Sequence, residues 1–198
     1  MARRVIGLTG GIATGKSQVT HFLADKAFVI DADKLVHKLQ LPGGILYQVL
    51  VAHFGESILD DSGRLDRKQL AKSLFSDESK RDELSKCQDP IIRESLKDAL
   101  RAAQEQESLI VMDIPLLYEK GYDEWCDEVW VVSVDQETQI IRLMERDGLN
   151  RDEALLRLSA QMPLAEKEKR ADLVLDNTGH QQELYRQVED ALDQLGRT

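Results

Sequence analysis

One stretch of the sequence has the residue types and spacing to hold a phosphate chain. It reads Gly10, four residues, Gly15, Lys16, Ser17, and it follows an apolar run from Val5 to Leu8. This is the G-x-x-x-x-G-K-[ST] spacing of a phosphate-binding loop. Glycines let successive backbone N–H groups curve around an anion, where a Cβ would obstruct the approach. A helix starting at the loop turns its positive dipole end toward the same anion. Lys16 adds a point charge for the β- and γ-phosphates, and the hydroxyl of Ser17 can ligate Mg²⁺. The spacing predicts nucleotide binding by Gly10, Gly11, Ile12, Ala13, Thr14, Gly15, Lys16 and Ser17. It does not say what happens to the nucleotide.

Other residues supply chemistry that a phosphoryl transfer would need. Asp31 and Asp33 follow a second apolar run, Ala27 to Ile30. In open α/β folds ligands sit beyond the carboxyl ends of the strands, so this pair and the loop could face one crevice. One of the two acids would be catalytic and the other would cap or support the helix that follows. Asp113 ends a third run, Leu109 to Met112. There it could hold Mg²⁺ through water or simply cap the strand. Arg142 and Arg146 are four apart on a predicted helix. They share a face, which makes sense if an anion bridges them; the alternative is a solvated charged surface.

The elements that must position these residues follow from the hydrophobic pattern. Five strands are expected: Val5 to Leu8, Ala27 to Ile30, Leu109 to Met112, Glu128 to Val134 and Asp172 to Asn177. Helices are expected from Lys16 to Asp25, where Val19, Phe22 and Leu23 face the sheet, and from Gln136 to Asp147 behind an Asp135 N-cap. Others run from Arg151 to Gln161 and from His180 to Gly196, the latter with Leu184, Val188, Leu192 and Leu195 as its apolar stripe. From Ile45 to Gln106 the pattern is helical, with examples at Ile45 to Phe54, Arg67 to Phe75 and Pro90 to Gln104, and a turn cluster at Asp60 to Gly63. Roughly sixty residues exceed what one crossover needs, so they read as an inserted helical subdomain. Strands alternating with helices predict an α/β fold with a parallel sheet and helices on both faces.

Composition narrows the function classes. The 198 residues are 42% hydrophobic and 31% charged, with a net charge of −10. That balance argues against non-specific nucleic-acid binding. The segment from Thr138 to Arg170 carries +1, against −11 for the rest of the chain. No run approaches 18 apolar residues, so no membrane span is expected. No signal-peptide pattern precedes the first strand. Cys87 and Cys126 form no ligand motif and suit reduced thiols in the cytosol. The four histidines have no metal-ligand spacing.

These pieces together resemble the dephospho-CoA kinase family over nearly the whole chain. The resemblance runs from Gly7-Leu8-Thr9-Gly10-Gly11-Ile12 into Gly15-Lys16-Ser17, and through Val29-Ile30-Asp31-Ala32-Asp33. It continues through Phe54-Gly55, Gly63-Arg64-Leu65-Asp66-Arg67, Leu70-Ala71 and Phe75. Asp113-Ile114-Pro115-Leu116-Leu117 with Glu119, Arg142 with Arg146, Ala160-Gln161-Met162, and Ala171-Asp172 to Asn177 and Gly179 complete it. The resemblance implies ATP-dependent phosphorylation of the ribose 3′-hydroxyl of dephospho-CoA, the last step of coenzyme A synthesis. It implies a three-layer P-loop nucleotide-kinase-like fold around a central parallel five-stranded sheet, with a helical insert and a helical lid. The core would be residues 1–36, 108–136 and 171–198, the CoA-binding subdomain 37–107 and the lid 137–170. Asp33 looks like the acceptor-side acid and Arg142 like a lid arginine. Arg146 joins the nucleotide-binding residues, Asn177 lies where the last strand meets the adenine site, and Ser17 with Asp113 would hold Mg²⁺. The implied setting is cytoplasmic, as a monomer or weak homo-oligomer acting on a small molecule.

The sequence departs from the family at two places. The loop has Ala13 and Thr14 where the family usually has Gly and Ser. Asp89 precedes Pro90 where His is common. Two rivals stand beside this reading. A P-loop kinase for another small acceptor is disfavoured by the long insert and the Asp-x-Pro-Leu-Leu segment. A guanine-nucleotide switch is disfavoured because no Asn-Lys-x-Asp string occurs.

Overall fold

The computed structural model describes residues 3–66, 69–70 and 78–196, so most of the helix expected over Arg67 to Phe75 lies outside the described residues. The chain divides into two compact units, Met1–Ile30 with Ala103–Thr198, and Asp31–Ala102.

The first unit is built on a five-stranded parallel sheet. Its strands are β1 (Arg4–Gly10), β2 (Phe28–Asp31), β3 (Leu109–Asp113), β4 (Glu128–Ser133) and β5 (Leu173–Asp176), in the order β2-β3-β1-β4-β5. Strand β1 pairs in parallel with β3 on one side and β4 on the other. The three central strands are apolar along their length because both faces are covered. One face packs helix α1 (Lys16–Leu23) and the chain's final helix, Gln181–Leu195, into a core of Ile6, Leu8, Val19, Leu23, Trp130 and Val188. The apolar stripes expected on both helices are the residues that meet there. On the opposite face an added Cβ at Gly7 would meet Leu117 and Cys126, so the segment after β3 lies directly on the strand. Burial raises the Cys126 thiol to about 12, which fits an inert packing residue.

The second unit is helical. It contains α2 (Ala32–Leu39), α3 (Ile45–Phe54) and most of α4 (Glu78–Gln106). Leu50, Ile58 and Leu70 form its small core, with Phe54, Leu59, Leu65 and Leu84 packed around them. The turn expected at Asp60 to Gly63 closes on the Asp60 carboxylate, which accepts from the Ser62 N–H and hydroxyl and from the Arg64 N–H. The Ser62 hydroxyl, more than any other group, holds that carboxyl below its usual range. One sequence expectation needs correcting. The helix expected to begin at Pro90 begins twelve residues earlier, at Glu78, and runs through Pro90. Proline removes one internal hydrogen bond, and 29 residues of helix supply enough others to carry it.

Four helices of the first unit complete the numbering. They are α5 (Gln136–Asp147), α6 (Arg151–Ser159), α7 (Leu164–Arg170) and α8 (Gln181–Leu195). Asp135 caps α5 as expected, accepting from the Thr138 N–H and hydroxyl.

Candidate active site

The glycine loop joins the end of β1 to the start of α1, and its backbone is held from outside. Five successive carbonyls, Gly10 to Thr14, each meet a donor. Gly10 O accepts from Lys167 Nζ at 3.4 Å and Gly11 O from Thr14 Oγ1 at 3.0 Å. Ile12 O accepts from Gln139 Nε2 at 2.7 Å, Ala13 O from Arg142 Nη1 at 3.5 Å, and Thr14 O from Asn177 Nδ2 at 2.8 Å. In a planar trans peptide the N–H points opposite to the preceding carbonyl. Holding these carbonyls outward therefore turns the N–H groups of Gly11, Ile12, Ala13 and Gly15 inward. Among the described residues none of these four N–H groups, nor those of Lys16 and Ser17, has a protein acceptor. A row of inward donors at a helix N-terminus is an anion cradle.

The same contacts explain the glycines. A Cβ on Gly15 would strike Asn177 Nδ2, and one on Gly11 would strike Gln139 Nε2. Gly15 also adopts φ +88°, and Ala13 adopts φ +61°. The left-handed conformation costs a residue with a Cβ roughly 1–2 kcal/mol. Ala13 is one of the two middle positions where the family pattern differs, so the departure has a conformational consequence.

Lys16 and Asp113 face each other at the mouth of the loop. Lys16 Nζ is ion-paired with Asp113 Oδ1, and Thr20 Oγ1 donates to Asp113 Oδ2 at 2.6 Å. The β1–β3 register sets Asp113 opposite Leu8. The carboxylate is buried, so both partners are needed to offset its desolvation. Ser17 follows Lys16 in the first turn of α1 and is exposed.

The basic residues expected to act together divide. Arg142 turns inward, and its Nη2 also donates to Asn177 O at 3.2 Å. Arg146 grips its neighbour Asp147 through Nε at 2.8 Å and Nη2 at 3.1 Å. The Arg146 guanidinium, with Arg157 adding to it, holds the Asp147 carboxyl below its usual range. Arg151 pairs with Glu137 in a two-pronged contact at 2.7 Å. Lys167, grouped by sequence with the charged surface, is wholly buried. It donates to Pro115 O at 2.9 Å and pairs with Glu119 Oε1 at 2.9 Å. Burial leaves it a fastening between α7, the segment after β3 and the loop. A cleft of about 900 Å³ opens beside Gly11 and Ile12, lined also by Asp135, Gln139, Leu155 and Met162.

The first unit thus gathers Lys16, Asp113, Arg142 and Asn177 about the loop, while Arg146 is turned to Asp147. Asn177 is buried, with its amide committed to the loop. Asp33 is a residue of the second unit. Asp31 caps α2 by accepting from the Lys34 N–H at 2.9 Å, and Asp33 lies in the first helical turn. The capping role left open between the two acids falls to Asp31. Three residues were missed in the sequence. Thr20 lies one helical turn after Lys16. Gln139 occupies a buried position with Leu143 on the apolar stripe of α5, which marks it as a polar residue with a specific partner. Nothing in the charge pattern distinguished Lys167.

The Dephospho-CoA kinase family matches residues 4–183. Dephospho-CoA kinase of Streptococcus pneumoniae is 48% identical over 186 residues, covering 93% of this chain and 92% of that protein. The enzyme of the same name from Shouchella clausii is 48% identical over 189 residues, covering 94% and 96%. Among solved structures, TT1252 of Thermus thermophilus is 35% identical with a TM-score of 0.81, covering 98% of this chain and 99% of its own. Dephospho-CoA kinase from Campylobacter jejuni is 25% identical with a TM-score of 0.73, covering 98% and 97%. Shikimate kinase of Aquifex aeolicus, 18% identical with a TM-score of 0.54, shares the fold. The chain belongs to the dephospho-CoA kinase family and is a kinase, an enzyme that transfers phosphoryl groups.

Proposed function

We propose that the chain transfers the γ-phosphoryl group of ATP to the ribose 3′-hydroxyl of dephospho-CoA. The observation that carries this reading is the inward row of loop N–H groups with Lys16 at its mouth, in a chain alike over more than nine-tenths of its length to enzymes of that name. The N–H groups of Gly11, Ile12, Ala13, Gly15, Lys16 and Ser17 hold the triphosphate. Lys16 leaves Asp113 for the β- and γ-oxygens and neutralises charge as the phosphoryl group moves. Asp33 takes the proton of the acceptor hydroxyl, leaving that oxygen free to attack in line. Arg142 stabilises the transferring group, Arg146 exchanges Asp147 for nucleotide phosphate, and Asn177 orders the loop beside the adenine site.

Mg²⁺ keeps waters and substrate oxygens and takes one or two protein oxygens. Ser17 and Asp113 are hard oxygen donors of that kind and would hold it. When bound, the ion supplies charge neutralisation at the β- and γ-phosphates. Residues 37–107 take the acceptor, and residues 137–170 close over ATP. The enzyme works in the cytoplasm as a monomer or weak homo-oligomer, without nucleic acid or membrane; no helix among the described residues is long and apolar enough to cross one.

A coupled ADP-release assay across acceptors tests the reading. Dephospho-CoA is expected to give the highest kcat/KM, ahead of nucleoside monophosphates and shikimate. Preference for a nucleoside monophosphate would overturn it.

A further inference from the structure

The N–H cradle is not made by the loop sequence alone. Its orientation depends on side chains far away in the chain, and one of them has no place in the phosphate-loop pattern. Gln139 is buried on α5, 127 residues from the carbonyl it holds. Its Nε2 donates to Ile12 O at 2.7 Å, the shortest of the five contacts to the loop carbonyls. The peptide it pins is Ile12–Ala13. That peptide presents the Ala13 N–H to the cradle and enters the left-handed residue of the loop. An alanine there resists the conformation, so something must hold it. The hydrophobic contacts of Ile12 and Ala13 with Ile140, Leu143 and Ala154 bring the helix face close, but they are non-directional. Only a donor fixes which way the carbonyl points.

We infer that Gln139 is a positioning residue for the triphosphate: it holds the Ile12–Ala13 peptide in the orientation that aims the Ala13 N–H at the anion. It touches no reacting atom. Because α5 also carries Arg142 three residues on, which donates to Ala13 O, the helix grips two adjacent peptides of the loop. Seating of α5 and readiness of the phosphate cradle are then one event. The inference rests on the reading that this loop takes the phosphates of ATP.

The test compares wild type, Gln139→Leu, Ala13→Gly and the double variant. Leucine keeps the approximate volume and removes the donor. The expected result for Gln139→Leu is a rise of about tenfold in KM for ATP, with the KM for the acceptor unchanged. Ala13→Gly removes the conformational resistance that Gln139 opposes. The double variant should therefore recover several-fold of the lost ATP affinity, although glycine restores no contact to α5. A role in general packing would instead lower thermal stability, move both KM values, and show no rescue by glycine. Should Gln139→Leu fail to fold, Gln139→Asn, one methylene too short to reach, carries the same comparison. An unchanged KM for ATP in a folded variant, or absence of glycine rescue, would overturn the inference. If wild type itself gains no thermal protection from ATP and shows no turnover, the underlying reading of the loop is what has failed.

Discussion

The phosphate loop and the arginine-bearing surface beside it are both studded with polar contacts, yet the two differ in kind. Around the loop the donors from elsewhere in the chain are Gln139, Arg142, Asn177 and Lys167, and what they hold is backbone. Three of the four side chains are buried. Removing a buried donor leaves an unsatisfied carbonyl, which is costly. On the surface, Arg146 with Asp147, Arg157 with Asp147 and Arg151 with Glu137 are exposed ion pairs. Such pairs contribute little to stability because water and salt compete for them. The difference divides the work. The loop's peptides are held by the protein's own buried groups, whereas the exposed arginines sit in pairs that cost little to break.

That contrast can be broken by substitution. The largest effect is expected for Lys16→Ala. It removes the charge at the mouth of the loop and leaves the buried Asp113 with Thr20 alone, so kcat should fall by about a thousandfold. An unchanged kcat would remove Lys16 from the chemistry. Asp33→Asn should lower kcat by about a hundredfold or more while ATP binding, read by calorimetry, is kept. Near-normal turnover would show the base to be misassigned. Arg146→Ala tests the exposed side of the contrast. Its melting midpoint should move by about a degree or less, while the KM for ATP rises a few-fold. A large fall in the midpoint would mean that the surface pairs are structural after all.

The smallest effect concerns pH. The Thr138 hydroxyl and N–H hold the Asp135 carboxyl below the usual value. A carboxyl depressed in the folded state binds a proton more readily once unfolded. Its contribution to stability is therefore complete above the ordinary carboxylate range and is lost as pH falls through that range and below. Wild type should lose slightly more thermal stability than Asp135→Ala on acidification over that window. Parallel curves would show that the cap of α5 does not depend on its charge.

Much of this was legible in the chain, and the reasons are local. The loop pattern, the apolar strands and the stripe of α8 depend on short-range spacing, which sequence displays directly. Asp135 and the Asp60 turn were readable because caps and turns use side chains a few residues from the backbone they bind. Pro90 misled because proline usually starts a helix, and here a long helix absorbs it. Lys167 and Gln139 were hidden for a common reason: their partners are distant in sequence, Pro115 and Gly10 lying 52 and 157 residues from Lys167 and Ile12 lying 127 from Gln139. A lysine in a charged run gives no hint that it will be buried. Arg142 and Arg146 share a face by spacing, but the side chains reach different partners, loop backbone and the Asp147 carboxylate.

The position to which phosphate is delivered distinguishes this chemistry from that of any other P-loop kinase. Purified chain incubated with ATP, Mg²⁺ and dephospho-CoA can be followed by ³¹P NMR of the product. One new phosphomonoester resonance, coupled to the ribose 3′ proton, is expected, with one ADP formed for each. ADP released without that resonance, or a phosphate on another hydroxyl, would contradict transfer to the 3′-hydroxyl.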